Sequence, residues 1–227
     1  LRLIYSAIIF SLLIACESAS NVSSPIDTTK EEIQADAKLD TSLVVPVNDD
    51  RIGWQKPDEV IKFLGDLSGE SVADIGAGTG YFSFRLALKA DKVIALDIDP
   101  NMIQLMDAIE AELPDIIQNR FETRLVGEND ANLAENEVDN IIIINTIAFI
   151  GNKRNYLENL KKGLKKGGKL MIVDYKMKRL AIDDGPNRSD RIPHYQIEDL
   201  LIESGYTILT SDDTTLDYQY IVVGQLD

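Results

Sequence analysis

The chain has 227 residues, 44% of them hydrophobic, which suits one ordinary globular domain. Its formal net charge of −15 repels phosphate backbones and argues against general nucleic-acid binding. A single cysteine (Cys16) and a single histidine (His194) exclude an intrachain disulfide, a Cys-based metal site and a multi-histidine metal site.

Residues 1–15 read as a signal. Arg2 gives a positive start, and residues 3–13 form an apolar run too short to span a bilayer as a helix. Leu13-Ile14-Ala15-Cys16 then resembles the bacterial lipobox, a pattern in which the chain is cut before the cysteine and the cysteine takes a lipid. The expectation is a protein anchored in the cell envelope through Cys16, with a cytoplasmic location as the alternative. Residues 16–48 are polar and poor in aromatics, as in a flexible stalk. The folded domain is expected over residues 49–227.

Pro57-Asp58-Glu59 opens a first helix, with proline and acids where the free N–H groups favour them. Residues 71–75 are a first strand ending in glycines, followed by a helix over 81–89 and a second strand over 92–97. Asp99 caps a helix over 100–112, whose apolar residues fall at helical spacing. A third strand covers 121–127. Four successive isoleucines in residues 138–145 suit a strand buried on both faces. A basic amphipathic helix over 155–166 is stopped by Gly167-Gly168, and a fifth strand covers 169–175. A helix over 197–204 and two strands, 206–210 and 218–223, close the chain as an antiparallel hairpin. This alternation specifies a Rossmann-like, doubly wound α/β sheet of seven strands, mostly parallel, with ligands expected at the strand carboxyl ends.

Gly76, Gly78 and Gly80 form GxGxG between the first strand and a helix. Glycines there allow a tight turn and close approach of a ligand to the main chain. The dinucleotide fingerprint GxGxxG would place its third glycine where Tyr81 stands. Asp74 precedes the loop, and a carboxylate there opposes a pyrophosphate. It favours S-adenosylmethionine, which brings a sulfonium and an amino group instead. Asp97 ends the second strand, where an ionised carboxylate can accept hydrogen bonds from both ribose hydroxyls.

The stretches VADIGAGTGYFSFRLA, VIALDIDPNMIQLM and YLENLKKGLKKGGKLMIVDYK resemble class I S-adenosylmethionine-dependent methyltransferases over residues 54–175. The resemblance implies a seven-stranded sheet with its last strand antiparallel. It implies that Asp74, Gly76, Gly78 and Gly80 line the methionine and ribose end, that Asp97 holds the ribose, and that Ile98 packs on adenine. It also implies an acid after strand three that meets the adenine amino group, and Glu128 and Asp130 both stand as candidates. Where close relatives often carry two histidines after strand four, this chain has Ala148-Phe149, leaving Asn145 as the polar group at the strand end. Residues 51–56 (RIGWQK) resemble a segment that can cover the cofactor, and Trp54 could equally anchor the core.

Methyl transfer from a sulfonium is an in-line displacement that needs alignment and dryness, and a base only for a protonated acceptor. Asp174, Tyr175 and His194 are the candidates for that base. Residues 179–193 read as a lid or substrate loop. The expected partner is a small-molecule or otherwise unidentified methyl acceptor. A methyltransferase-fold envelope module that binds without catalysis is the alternative, and a nucleotide-dependent oxidoreductase is disfavoured by the loop spacing.

Overall fold

The computed structural model describes residues 49–182 and 185–227. The expected signal, stalk and Cys16 lie outside the described residues. The chain runs α1 (Asp49–Gln55), α2 (Pro57–Lys62), β1 (Ser71–Ile75), α3 (Ser83–Ala87), β2 (Lys92–Asp97), α4 (Pro100–Glu110), α5 (Asp115–Gln118) and β3 (Phe121–Leu125). It continues through β4 (Val138–Ile144), a short 3-10 turn (Ile147–Phe149), α6 (Lys153–Leu160), β5 (Leu164–Tyr175), α7 (His194–Glu203), β6 (Thr207–Asp212) and β7 (Gln219–Gln225). No described helix is long and apolar enough to cross a membrane.

The strands form one seven-stranded sheet in the order β3-β2-β1-β4-β5-β7-β6. Strands β1 to β5 pair in parallel, and β7 runs antiparallel between β5 and β6. The isoleucine run in β4 explains why the sheet is covered on both faces. Ile142 and Ile144 pack into one layer with Phe84 and Met106, and Ile141 and Ile143 into the other with Leu157 and Ile197. Full burial of each such side chain contributes about 1.5–3 kcal/mol, so alternate residues of one strand hold both helical layers. Asp139 fastens the strand starts, accepting from the Ser71 amide (2.8 Å), the Ser71 hydroxyl (2.7 Å) and the Lys165 ammonium (2.9 Å). As expected, Asp99 caps α4 by accepting from the Asn101 amide at 2.8 Å.

The largest boundary difference from the sequence expectation lies between α6 and β5. The helix expected over 155–166 is α6 and ends at Leu160, and β5 begins at Leu164, ahead of Gly167-Gly168. Leu164 is buried and pairs with Val138, so burial of one leucine overrides the helical propensity of its lysine neighbours. The two glycines sit where the β4–β5 register shifts between Val138 and Asn140. They form a strand irregularity, a place where glycine is favoured, rather than a helix stop. Segment 51–56, for which a cofactor cover and a core anchor at Trp54 were both expected, lies mostly within α1.

The two glycines serve different purposes. A Cβ on Gly168 would lie 2.6 Å from the Asp139 carbonyl oxygen, whereas Gly167 faces open space but has φ +78°. Gly168→Ala is expected to cost about 2–3 kcal/mol through overpacking, and Gly167→Ala about 1–2 kcal/mol through backbone strain alone. Urea unfolding of the two variants checks this order.

Candidate functional site

The parallel strands end along one edge, and neighbours β1 and β4 send their following segments to opposite sides of the sheet, which opens a crevice there. The loop after β1 crosses this crevice with Gly76, Gly78 and Gly80 all at positive φ (+73°, +56° and +79°). A Cβ on Gly76 would overlap the Thr146 side chain, and one on Gly80 would overlap the Phe84 ring. Gly78 meets nothing, so its requirement is the backbone angle alone.

The loop amides are largely used up within the protein. Gly76 and Ala77 donate to the Leu96 carbonyl (2.8 and 3.0 Å), and Gly80 donates to the Ala77 carbonyl (3.0 Å). Gly78 donates to Asp97 Oδ2 at 2.7 Å, and the Asp99 amide donates to Asp97 Oδ1 at 2.9 Å. A phosphate-binding turn keeps its amides free for the anion, and this one does not.

Beside the loop lies a cleft of about 450 Å³ whose walls include Gly76, Asp97, Ile98, Glu128, Thr146 and Phe149. None of the described lining residues is Lys, Arg or His, and two are acids. Ile98 is 55% exposed and Phe149 74% exposed, an open apolar pair at the mouth. Carboxylates at the polar end and apolar side chains at the mouth suit a neutral or cationic nucleoside, with ribose hydroxyls donating to Asp97, and oppose a pyrophosphate. S-adenosylmethionine fits this donor set.

Asp74 lies behind the loop and is only 3% exposed. Its Oδ2 accepts from the Ser83 hydroxyl at 2.6 Å. Burial pushes its pKa up to about 6, the Ser83 hydrogen bond holds it down, the Asp97 charge raises it further and Arg51 lowers it. Of the two acids after β3, Glu128 lines the cleft. Asp130 instead lines an adjoining cavity with Arg124 and accepts from the Asn132 amide at 2.8 Å. Asn145 does stand at the end of β4, but at φ +58° its Oδ1 accepts from the Gln219 amide group across the sheet. The next residue, Thr146, reaches the cleft in its place.

The three base candidates are not brought together. Asp174 is 2% exposed and stands opposite Tyr220 in the sheet. Burial raises its pKa to about 6, against the pull of the Tyr175 and Ala148 amides and Lys153. Tyr175 points to the other face and packs on Trp54 of α1, ring centroids 6.1 Å apart. Trp54 also meets Tyr218 at 6.3 Å, so it joins α1 to the β5–β7 end. His194 begins α7 and lines a separate cavity of about 560 Å³ with Lys176, Lys178 and Tyr195. The described parts of the 179–193 loop are tied down by Arg191, which donates to the Lys178 and Pro186 carbonyls at 2.7 and 2.9 Å. Four buried polar atoms have no hydrogen-bond partner among the described residues: Gln55 Nε2, Tyr81 Oη, Asp174 Oδ2 and Gln219 Oε1. All belong to segments around the same edge.

Residues 66–208 match the family model described as a methyltransferase domain. The chain belongs to this family. Among curated relatives, the demethylmenaquinone methyltransferase of Tropheryma whipplei (strain Twist) is 28% identical over 119 residues, which are 50% of this chain and 45% of that protein. Phosphoethanolamine N-methyltransferase 1 of Triticum aestivum is 32% identical over 124 residues, 54% of this chain and 24% of that protein. The chain thus spans less than half the length of these relatives. Its fold is that of a SAM-dependent methyltransferase from Aquifex aeolicus, with TM-score 0.72, 23% identity, and coverage of 79% of this chain and 94% of that one.

Sequence reasoning missed Thr146, Phe149 and Tyr156 as cleft residues of this methyltransferase domain. Their position just beyond an apolar strand was the available signal.

Asp74 yields a pH prediction. With its pKa near 6, part of its population is protonated at pH 6, and a cationic ligand end favours the ionised form. Affinity for S-adenosylmethionine is therefore expected to rise between about pH 5 and pH 7 and level off above. Calorimetry at pH 6 in buffers of different ionisation enthalpy should detect proton release, and Asp74→Asn should flatten the profile.

Proposed function

We propose that the protein is an S-adenosylmethionine-dependent methyltransferase acting on a small-molecule acceptor. The single observation that carries the cofactor half of this reading is the loop after β1. Its amides at Gly76, Ala77, Gly78 and Gly80 are consumed internally, and the cleft beside it holds carboxylates without a lining cation. That arrangement supports a nucleoside with a cationic tail and opposes a phosphorylated one.

The bound cofactor supplies an activated methyl group on a sulfonium. The chain's own residues hold and shield it. Asp97 keeps lone pairs for the ribose after accepting from Gly78 and Asp99, because a carboxylate offers about four acceptor sites. Ile98 and Phe149 offer apolar walls to the base. The acceptor is placed between α1 and the β5–β7 end, where Gln55, Tyr81 and Gln219 keep buried polar atoms without partners. Buried polar groups left this way cost roughly 1–3 kcal/mol each, so an acceptor that hydrogen-bonds to them gains affinity and orientation together. Two of the relatives are named for small acceptors, demethylmenaquinone and phosphoethanolamine, which supports the small-molecule reading.

We also propose attachment to the envelope through a lipid on Cys16, from the lipobox-like sequence alone. A globomycin-sensitive precursor and loss of membrane fractionation in Cys16→Ser support it. A cytosolic, unmodified wild-type chain rejects it.

The enzyme proposal is tested by titrating the full chain with S-adenosylhomocysteine. Micromolar binding is expected, weakened at least tenfold in Asp97→Ala, with no competition from NAD. Tighter binding of NAD sinks the proposal. Transfer of labelled methyl into a small-molecule extract then separates an enzyme from a protein that only binds.

A further inference from the structure

The cavity of about 560 Å³ at the start of α7 has no part in the cofactor reading, and its lining is cationic where that of the cofactor cleft is acidic. Lys176, Lys178 and His194 line it against a single lining acid, Asp213. Because β7 runs antiparallel to β5 and β6, the segments after β5 and β6 and the start of β7 meet at the same sheet edge as the glycine loop. Internal bonds hold this cavity in shape. Tyr220 Oη donates to the Ile192 carbonyl at 3.0 Å, which ties the approach to α7 onto β7. Arg191 donates to the Lys176 and Lys178 carbonyls at 3.2 and 2.7 Å, which fixes the backbone that carries both lysines. The Lys176 ammonium donates to the Leu216 carbonyl at 2.7 Å and to the Asp213 carbonyl, so one of its three N–H groups is left over. Lys178 makes no ion pair among the described residues. Burial lowers the pKa of Lys176, the Lys178 charge lowers it further, and Asp213, Asp212 and Asp217 raise it. An anion bound to both lysines relieves the repulsion between them. Helix α7 begins at His194 without a side-chain cap, which adds the positive end of its dipole at the same wall.

We propose that this cavity binds a negatively charged group, a carboxylate or a phosphate, carried by the methyl acceptor. The inference rests on the methyltransferase reading above and narrows its acceptor to an anionic small molecule. Lys178 Nζ stands 5.7 Å from the centre of the Tyr218 ring, and that ring packs on Trp54 of α1 at 6.3 Å. The cavity therefore adjoins the α1 side of the β5–β7 end, where the acceptor is placed. An acceptor that extends from there into the cavity answers the unpaired charge of Lys178, and a neutral molecule of the same shape does not. In a chain of net charge −15, which repels anions at long range, an anionic ligand needs such a local cluster of cations.

The chain's single histidine lines this cavity, so the His194 ring is an unambiguous NMR reporter for it. The test titrates the full chain with inorganic phosphate and, separately, with acetate, against sodium chloride at equal ionic strength and fixed pH. A saturable His194 shift with phosphate or acetate and none with chloride is expected, and the tighter of the two names the acceptor's group. Lys178→Gln is expected to weaken that binding about tenfold and to leave the affinity for S-adenosylhomocysteine unchanged. Absence of a saturable shift overturns the inference, as does an equal response to chloride or full binding in Lys178→Gln. Transfer of labelled methyl into a small-molecule extract gives a second readout. The labelled product is expected to be retained on an anion exchanger and to fall about tenfold in Lys178→Gln. A neutral or cationic product overturns the acceptor role even where phosphate binds. Failure of the wild type to bind S-adenosylhomocysteine instead rejects the cofactor reading, and the acceptor role with it.

Discussion

The hydrogen bond from the Gly78 amide to Asp97 decides what the rest of the site can hold. It joins the end of β2 to the loop after β1, so two adjacent strand ends become one rigid surface. An amide given to an ionised carboxylate makes a strong bond, and Asp97 takes a second from Asp99, whose own side chain starts α4. One carboxylate therefore positions the loop, the helix after β2 and the floor of the cleft. The same bond removes from the loop the donor that a phosphate would need. The fold resembles that of dinucleotide enzymes, yet its chemistry diverges at this atom.

The topology supplies the crevice, and the loop glycines let it close tightly. Between β1 and β4, Thr146 lies against the Cα of Gly76 so closely that any side chain there would displace it. On the other side, Phe84 occupies the space beneath Gly80 and stacks on Phe121 at 4.5 Å, carrying the packing on to β3. The GxGxG pattern is thus a packing requirement at its first and third glycines and a backbone requirement at its second.

This separates what the sequence makes legible from what it does not. The alternation of strands and helices, the glycine spacing, Asp97 and the Asp99 cap are local patterns, and local patterns can be read from one chain. The limit of α6 was misjudged because lysines next to glycines look like a helix end, while the burial of Leu164 depends on Val138, far away in sequence. The choice between Glu128 and Asp130 turned on which way a short loop faces. Asn145 had the right position but the wrong direction, because a left-handed backbone turns it toward Gln219.

Two buried acids at this edge share a raised pKa and differ in what can relieve it. Both Asp74 and Asp174 sit near 6 when folded, above the 3.8 of a free aspartate. The folded state then holds more protons than the unfolded state between these values. Stability from both groups is accordingly greatest below about pH 4 and declines as pH rises through 6. At neutral pH the fold carries two ionised carboxylates that it desolvates. Asp174 has Lys153 and backbone amides for compensation. Asp74 has the Ser83 hydroxyl and the charge of Arg51, set against a like charge from Asp97. A cation arriving at Asp74 offsets a cost the empty fold already bears, so ligand affinity and fold stability rise together there. The destabilising burial of Asp74 and its capacity to hold a cationic ligand are one property of the same carboxylate.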